Sequence, residues 1–287
     1  MSKLETNKKK ILENKYQFKT NYTGDLEEFK KNLMEKKIIP HQVEFQAPPR
    51  GKKICWLECP YCYGLSAEDT KERLEKERGL EILKQILSGG VKKIIFAGYA
   101  TDPLNCSYIE ELLDMTISKK AIFGFNTKAI RVSEDFLSIL QNGNIIEGSY
   151  ISLSIDAGSN ETYNKIHAVK SKANIYDKVL HNVKKLGKLR IKKNFDLSAA
   201  YLVNINSSNT YDYEKFTNDF IEAGCNLLRF TFPQQPKDIK TDKGVIPSVE
   251  DVKKYKKELE KIKNKYSNSN CSILVIDADS DNDIYNK

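Results

Sequence analysis

Three cysteines lie close together in the stretch Cys55-Trp-Leu-Glu-Cys59-Pro-Tyr-Cys62, with the spacing CxxxCxxC. Cysteine thiolates are the usual protein ligands of iron-sulfur clusters. Three thiolates on one loop can bind three irons of a four-iron cubane, and the fourth iron then has no protein ligand. The sequence therefore predicts a cluster with one open iron, where chemistry can take place.

A structural zinc site is an alternative use of the same cysteines. Such sites are closed by four ligands, generally as two close pairs, and the sequence has no CxxC or HxxxH pair outside this loop. A non-catalytic zinc protein is therefore the competing hypothesis. Disulfides are not expected, because three of the six cysteines crowd into one loop and no secretory signal is apparent. We expect Cys106, Cys225 and Cys271 to be buried, inert thiols.

Short apolar runs alternate with amphipathic segments along most of the chain. The predicted strands are 41–46, 92–97, 121–125, 150–155, 197–203, 226–232 and 271–276, and the predicted helices are 26–34, 67–87, 109–118, 132–141, 175–186, 211–223 and 248–266. Strands separated by helices of this length form right-handed βαβ units and a parallel sheet. We therefore expect an α/β fold, a partial (β/α)6-type TIM barrel with a helical extension at its N-terminus. The cysteine loop follows the first strand at its carboxyl end, where the sites of such folds lie.

The composition is that of a globular protein, with 40% hydrophobic and 30% charged residues. No run approaches the roughly 18 to 20 apolar residues of a membrane span, and we expect a cytoplasmic protein with no membrane partner. The net charge of +8 leaves an anionic partner such as RNA open. Most lysines near the C-terminus, however, alternate with acids over residues 253–265 and indicate a solvated helix face.

The three cysteines, with Tyr61 before the last of them, resemble the signature of radical S-adenosylmethionine (radical SAM) enzymes. The resemblance covers residues 41–277 as a core domain, and leaves residues 1–40 as a lysine-rich and helical extension and 278–287 as an acidic tail. It implies a 4Fe-4S cluster on Cys55, Cys59 and Cys62 whose open iron is chelated by S-adenosyl-L-methionine. An electron donor such as flavodoxin or ferredoxin then drives reductive cleavage to a 5′-deoxyadenosyl radical, which abstracts hydrogen from a small-molecule or peptide substrate.

The resemblance also implies which residues contact the cofactor. All of them lie in the cysteine loop or at the carboxyl ends of predicted strands. They are Tyr61, Gly98, Tyr99, Thr101, Asp102, Asn126, Ser154, Asp156 and Val203. The stretch that contains Gly98 departs from the family's usual Gly-Gly-Glu-Pro, so either Thr101 or Asp102 takes the place of the family's acid at the methionyl amino group.

Several positions keep a second interpretation. The stretch from Gly98 to Asp102 also fits an ordinary turn from a strand to a helix, and Asp156 also fits a cap of the helix that follows it. Arg229 either meets a carboxylate or phosphate in the barrel or forms a salt bridge to an acid such as Asp156. The reaction subclass is not predicted, and an RNA-modifying enzyme of the same family is the alternative function.

Overall fold

The computed structural model describes residues 26–35, 37, 39–48, 55, 57–62, 73–98, 101–170, 173–207, 209–233 and 246–276. The strands are β1 (Val43–Gln46), β2 (Lys93–Ala97), β3 (Ile122–Thr127), β4 (Ser149–Ser154), β5 (Phe195–Leu202), β6 (Leu227–Thr231) and β7 (Ser272–Ile276). The helices are α1 (Leu26–Met34), α2 (Lys76–Ser88), α3 (Ile109–Ser118), α4 (Glu134–Asn142), α5 (Asn160–Ile166), α6 (Ile175–Lys192), α7 (Thr210–Glu222) and α8 (Val249–Lys265), with a short 3-10 helix at Pro103–Asn105.

The seven strands form one parallel sheet in the order β1-β2-β3-β4-β5-β6-β7. Each strand therefore pairs with the next strand of the sequence, as in a barrel that has not closed. The predicted α/β class and the partial TIM barrel are confirmed. Because all strands run the same way, their carboxyl ends lie on one edge of the sheet, and the loops that leave this edge are brought together.

One face of the sheet packs against helices. Tyr201 of β5 lies with its ring 5.1 Å from that of Phe216 on α7, and Phe125 of β3 lies 5.2 Å from Phe136 on α4. These rings belong to a single buried core. Since side chains alternate along a strand, the neighbours of these residues in β3 to β6 point to the opposite face, which corresponds to the barrel interior.

Two of the helices begin at capping serines. Ser133 and Ser248 precede α4 and α8, and their hydroxyls accept hydrogen bonds from the backbone N–H groups of Phe136 and Asp251. The predicted helix 67–87 is wrong for residues 73–75, since α2 begins only at Lys76. None of the helices in the described ranges is long and apolar enough to cross a membrane.

The late start of α2 has a tertiary cause. The Tyr108 hydroxyl donates a 2.7 Å hydrogen bond to the Leu74 carbonyl, and Glu75 at the N-cap has an extended backbone. A contact 34 residues away thus holds the segment outside the helix. The amphipathic pattern of the sequence contains no signal of this contact.

Candidate functional site at the cysteine loop

The three cysteines of the loop lie close to the carboxyl ends of the strands. Cys59 is buried, while Cys55 and Cys62 are half-buried, and none of the chain's six cysteines forms a disulfide. The Cys62 backbone N–H donates a 3.0 Å hydrogen bond to the Cys59 carbonyl, which closes a turn between these two residues. Cys106, Cys225 and Cys271 are buried elsewhere, as predicted.

The loop supplies suitable donor atoms for a cluster. Burial raises the pKa of the Cys55 thiol, and it raises the pKa of Cys59 to about 11, against an opposing effect of the Lys128 ammonium. Across the described ranges, the His, Cys, Asp and Glu side chains do not form a group of three that could hold a metal ion as they stand. The three cysteines fit a cluster because their sulfur atoms are suitable ligands and lie on one loop. Since burial favours the protonated thiols, cluster assembly would have to remove these protons.

His167, at the end of α5, holds the cysteine loop against the sheet. Its Nε2 lies 3.0 Å from the Ile155 carbonyl oxygen. A carbonyl only accepts, so Nε2 carries the hydrogen and Nδ1 is the acceptor. The Cys59 thiol lies 3.1 Å from this Nδ1 and can donate to it. The Tyr61 hydroxyl is also 3.1 Å away, but its hydrogen is donated to Asp156. Burial is the main cause that lowers the His167 pKa to about 3, so the ring is neutral.

Asp156 connects the cysteine loop to the central strands. Its carboxylate accepts hydrogen bonds from the Tyr61 hydroxyl at 2.9 Å and from the Leu202 backbone N–H at 2.9 Å. Lys128 Nζ lies 3.5 Å from the same carboxylate. The residue is 4% exposed and has a φ of 63°, a left-handed conformation that Asp tolerates better than most residues. Its carboxylate therefore fixes the position of Tyr61, and the cap of α5 is Ser159 rather than Asp156.

Thr101 and Asp102, the two candidates for the methionyl amino contact, lie in the turn after β2 and differ in their hydrogen bonds. The half-buried Asp102 carboxylate accepts from the backbone N–H groups of Leu104 and Lys128, at 3.0 and 2.6 Å, and from the Thr127 hydroxyl at 2.7 Å. Burial raises its pKa, against these hydrogen bonds. The buried Thr101 Oγ1, in contrast, has no hydrogen-bond partner among the described residues. Asp102 is thus occupied by the protein, whereas Thr101 retains a free hydroxyl.

Gly98 is required by the same turn. A Cβ at this position would lie 2.1 Å from the Thr101 carbonyl oxygen, which is backbone and cannot move aside. The sequence predicts that Gly98 allows a ligand to approach. The structure shows a close approach by the chain itself.

The other predicted contact residues are spread along the same edge. Asn126 and Ser154 are exposed near the carboxyl ends of β3 and β4. Val203 directly follows β5, and its side chain is fully buried. Its backbone N–H donates a 2.7 Å hydrogen bond to the Thr231 carbonyl, so its own carbonyl is the polar group left for a ligand. Tyr99 lies outside the described residues. The roles of these residues toward a cofactor stay predictions.

Two residues of this site, Lys128 and His167, were not predicted from the sequence. Lys128 directly follows the predicted strand end Asn126-Thr127, and its Nζ donates to the Ser154 carbonyl at 3.1 Å. A lysine at a strand's carboxyl end was a usable signal. His167 lies 108 residues from Cys59, its partner in space, and no local pattern marks it.

The family of the chain is established by comparison with known proteins. The model of the radical SAM superfamily matches residues 52–213, more than half of the chain. The chain belongs to the radical SAM superfamily, a family of enzymes. Over 138 residues it is 30% identical to the S-adenosylmethionine-dependent nucleotide dehydratase of Flammeovirga pacifica. The aligned region covers 45% of this chain and 43% of that protein.

Solved structures agree on the fold. SuiB of Streptococcus suis bound to the precursor peptide SuiA matches 88% of this chain and 53% of SuiB, with a TM-score of 0.63 and 15% identity. SuiB bound to S-adenosylmethionine matches 94% and 61%, with a TM-score of 0.62 and 16% identity. At this identity the likeness shows the fold alone. The chain spans less than half of the curated relative and about half of SuiB.

Proposed function

We propose that this chain is a radical SAM enzyme that holds a 4Fe-4S cluster through Cys55, Cys59 and Cys62 and cleaves S-adenosyl-L-methionine. The observation that carries the proposal is the position of three cysteines on one loop at the carboxyl edge of a partial barrel. The loop is docked there by the Tyr61 hydroxyl, which donates to Asp156, and by the Glu58 N–H, which donates to the His167 carbonyl. When bound, the reduced cluster would supply the electron for cleavage of S-adenosylmethionine to a 5′-deoxyadenosyl radical that abstracts hydrogen from the substrate.

The surrounding residues divide into two groups in this proposal. Asp102 and Asp156 accept hydrogen bonds from the protein and hold the loops in place. Thr101, with its free buried hydroxyl, and the exposed Asn126 and Ser154 are available to orient S-adenosylmethionine. We therefore assign the polar contact at the methionyl end to Thr101 rather than to Asp102.

The substrate is proposed to be a small molecule. The curated relative is named as a nucleotide dehydratase, and polar side chains of β4 to β6 occupy the interior face of the sheet. A peptide is the second candidate, because the structural neighbour SuiB was captured with a precursor peptide. We place the enzyme in the cytoplasm with flavodoxin or ferredoxin as reductant, since six cysteines without a disulfide suit a reducing compartment.

The test is anaerobic reconstitution of the chain with iron and sulfide. We expect about four irons for each chain, the number in a cubane, and release of 5′-deoxyadenosine after addition of dithionite and S-adenosylmethionine. The triple variant Cys55→Ala, Cys59→Ala, Cys62→Ala should lose both. Cys106→Ala, which removes a buried cysteine outside the loop, is the matched control and should retain both.

Two outcomes would contradict the proposal. A fully reconstituted protein that releases no 5′-deoxyadenosine would exclude the cleavage reaction. A colourless protein that carries zinc after both aerobic and anaerobic purification would favour the structural zinc site.

A further inference from the structure

The interior face of the sheet carries a polar patch between β4 and β6, below the carboxyl edge. In β4, Ile151 and Leu153 belong to the core on the helix side, so Ser152 points to the interior. The register places Ser152 beside Ser198 of β5, and places Arg229 of β6 beside Ala200. Two hydroxyls and one guanidinium therefore lie on neighbouring strands of the same face.

Arg229 reaches across β5 to bind Ser152. Its Nη2 donates a 3.0 Å hydrogen bond to the Ser152 Oγ, and Ala200 is the residue of β5 in register with Arg229. The small side chain of Ala200 leaves room for the arginine to lie over the strand. The Asp156 carboxylate binds Tyr61 and Leu202.

Ser198 supplies a buried hydroxyl that accepts and donates no hydrogen bond within the described residues. The residue is 0% exposed, and its Oγ has no hydrogen-bond partner in the part of the chain that the structure describes. A buried polar group without a partner is costly, about 1–3 kcal/mol, and such groups in native structures commonly bind water or a ligand. Its register neighbour Ser152 is the residue that Arg229 contacts.

Tyr150 limits the patch on the side of β3. Its ring lies over Gly124, where an added Cβ would be 2.5 Å from the ring's Cζ. Burial raises the pKa of this phenol, against an opposing effect of the nearby Arg229. Tyr150 is therefore a neutral hydroxyl close to the guanidinium. The carboxylate on this face of β5, Asp196, lies in register with Tyr150 and accepts a 3.0 Å hydrogen bond from Asn226 Nδ2.

We propose that Arg229, Ser152 and Ser198 bind a phosphate group of the substrate inside the barrel. Guanidinium groups form charge-assisted hydrogen bonds with phosphate oxygens. Two hydroxyls and the guanidinium come from three strands, and donors from several directions suit a tetrahedral group with three terminal oxygens better than a planar carboxylate. This inference rests on the proposed function, because it assigns the substrate class of the same barrel, a phosphorylated small molecule.

The experiment measures binding of inorganic phosphate, pyrophosphate and tripolyphosphate to the reconstituted full chain by calorimetry at 0.15 M salt, about physiological ionic strength. Acetate and citrate are the carboxylate probes. Arg229→Gln should weaken phosphate binding by about tenfold to a hundredfold, the range for one charge-assisted contact. Ser198→Ala should weaken it by about three- to tenfold, the range for a neutral hydrogen bond. Arg229→Lys should bind phosphate more tightly than Arg229→Gln but more weakly than the wild type, since lysine keeps the charge and lacks the paired N–H donors of the guanidinium.

The matched control is Arg78→Gln, which removes the same charge from an exposed residue of α2 that pairs with Glu81. It should bind phosphate like the wild type. Equal binding by the wild type, Arg229→Gln and Arg78→Gln would show unspecific attraction to a basic protein and overturn the proposal, as would binding of carboxylates alone. Binding is measured without S-adenosylmethionine or reductant, so its result is independent of the 5′-deoxyadenosine assay. Thermal unfolding of each variant identifies any that fails to fold.

Discussion

Replacement of Asp212 by Asn tests how the loop after β4 is held. Asp212, on α7, is 2% exposed. Its Oδ2 accepts from the Gly158 backbone N–H at 2.7 Å and from the Tyr201 hydroxyl at 2.6 Å. Its Oδ1 accepts from the hydroxyls of Ser159 and Thr162, at 3.0 and 2.9 Å. One carboxylate thus joins the loop that follows Asp156 to strand β5 and to the first turn of α5.

The expected loss follows from the hydrogen bonds. An asparagine keeps one oxygen for the two fixed donors, and its amide can donate to the two hydroxyls once they rotate, so the main loss is the charge. At about 0.5–1 kcal/mol for the charge assistance of each bond, the free energy of unfolding should fall by roughly 2–4 kcal/mol. Asp212→Leu leaves buried donors without acceptors and should cost more, about 4–5 kcal/mol.

Urea and thermal unfolding followed by circular dichroism measure both variants. A loss of about 3 kcal/mol corresponds to a melting temperature lower by roughly 6–12 °C for a chain of this size. The matched control is Asp177→Asn on α6, an exposed carboxylate that accepts from Asn160 Nδ2, and it should stay within about 0.5 kcal/mol of the wild type. If Asp212→Asn unfolds at the same urea concentration and temperature as this control, the charge of Asp212 does not stabilise the loop and the reasoning is refuted.

Three further variants test individual contacts. Tyr61→Phe removes the hydroxyl that donates to Asp156. Amide hydrogen exchange of residues 57–62, measured by mass spectrometry, should become about ten- to a hundredfold faster. Unchanged exchange would show that this hydrogen bond does not hold the loop. Gly187→Ala places a Cβ 1.8 Å from the Ala223 carbonyl oxygen and should lower the free energy of unfolding by about 1–3 kcal/mol, so an unaltered urea midpoint would contradict the packing. Thr101→Val removes the free hydroxyl and should weaken S-adenosylmethionine binding by about three- to tenfold without loss of stability; equal affinity in calorimetry would exclude this contact.

The sheet could be predicted because its signal is local. In the strand Lys93–Ala97, the residues from Ile94 onward form a continuous apolar run, as expected for a strand buried on both faces, and the helix Ile109–Ser118 has the predicted bounds. The predicted helix boundary was wrong where a residue distant in sequence determines it. The start of α2 depends on Tyr108, which binds the Leu74 carbonyl from 34 residues away.

The sequence identifies the acids of the candidate site but not their partners within the protein. Asp102 and Asp156 follow strands and look in sequence like ligand-binding carboxylates. Their partners, Lys128 and Leu202, lie 26 and 46 residues further along the chain, and only the folded sheet brings these N–H donors to them. His167 was missed for the same reason, since its contact with Cys59 spans 108 residues.

The electrostatics of the edge explain why its acids are enclosed by donors. A cluster on three thiolates would place negative charge beside Asp156, and like charges in a partly buried site repel. Lys128 is the cation at this point, with its side chain 18% exposed and its Nζ 3.5 Å from the Asp156 carboxylate. It opposes the rise of the Cys59 pKa caused by burial. The acids thus fix the loops and Lys128 offsets their charge, which agrees with the proposal that a neutral group, the Thr101 hydroxyl, contacts the ligand.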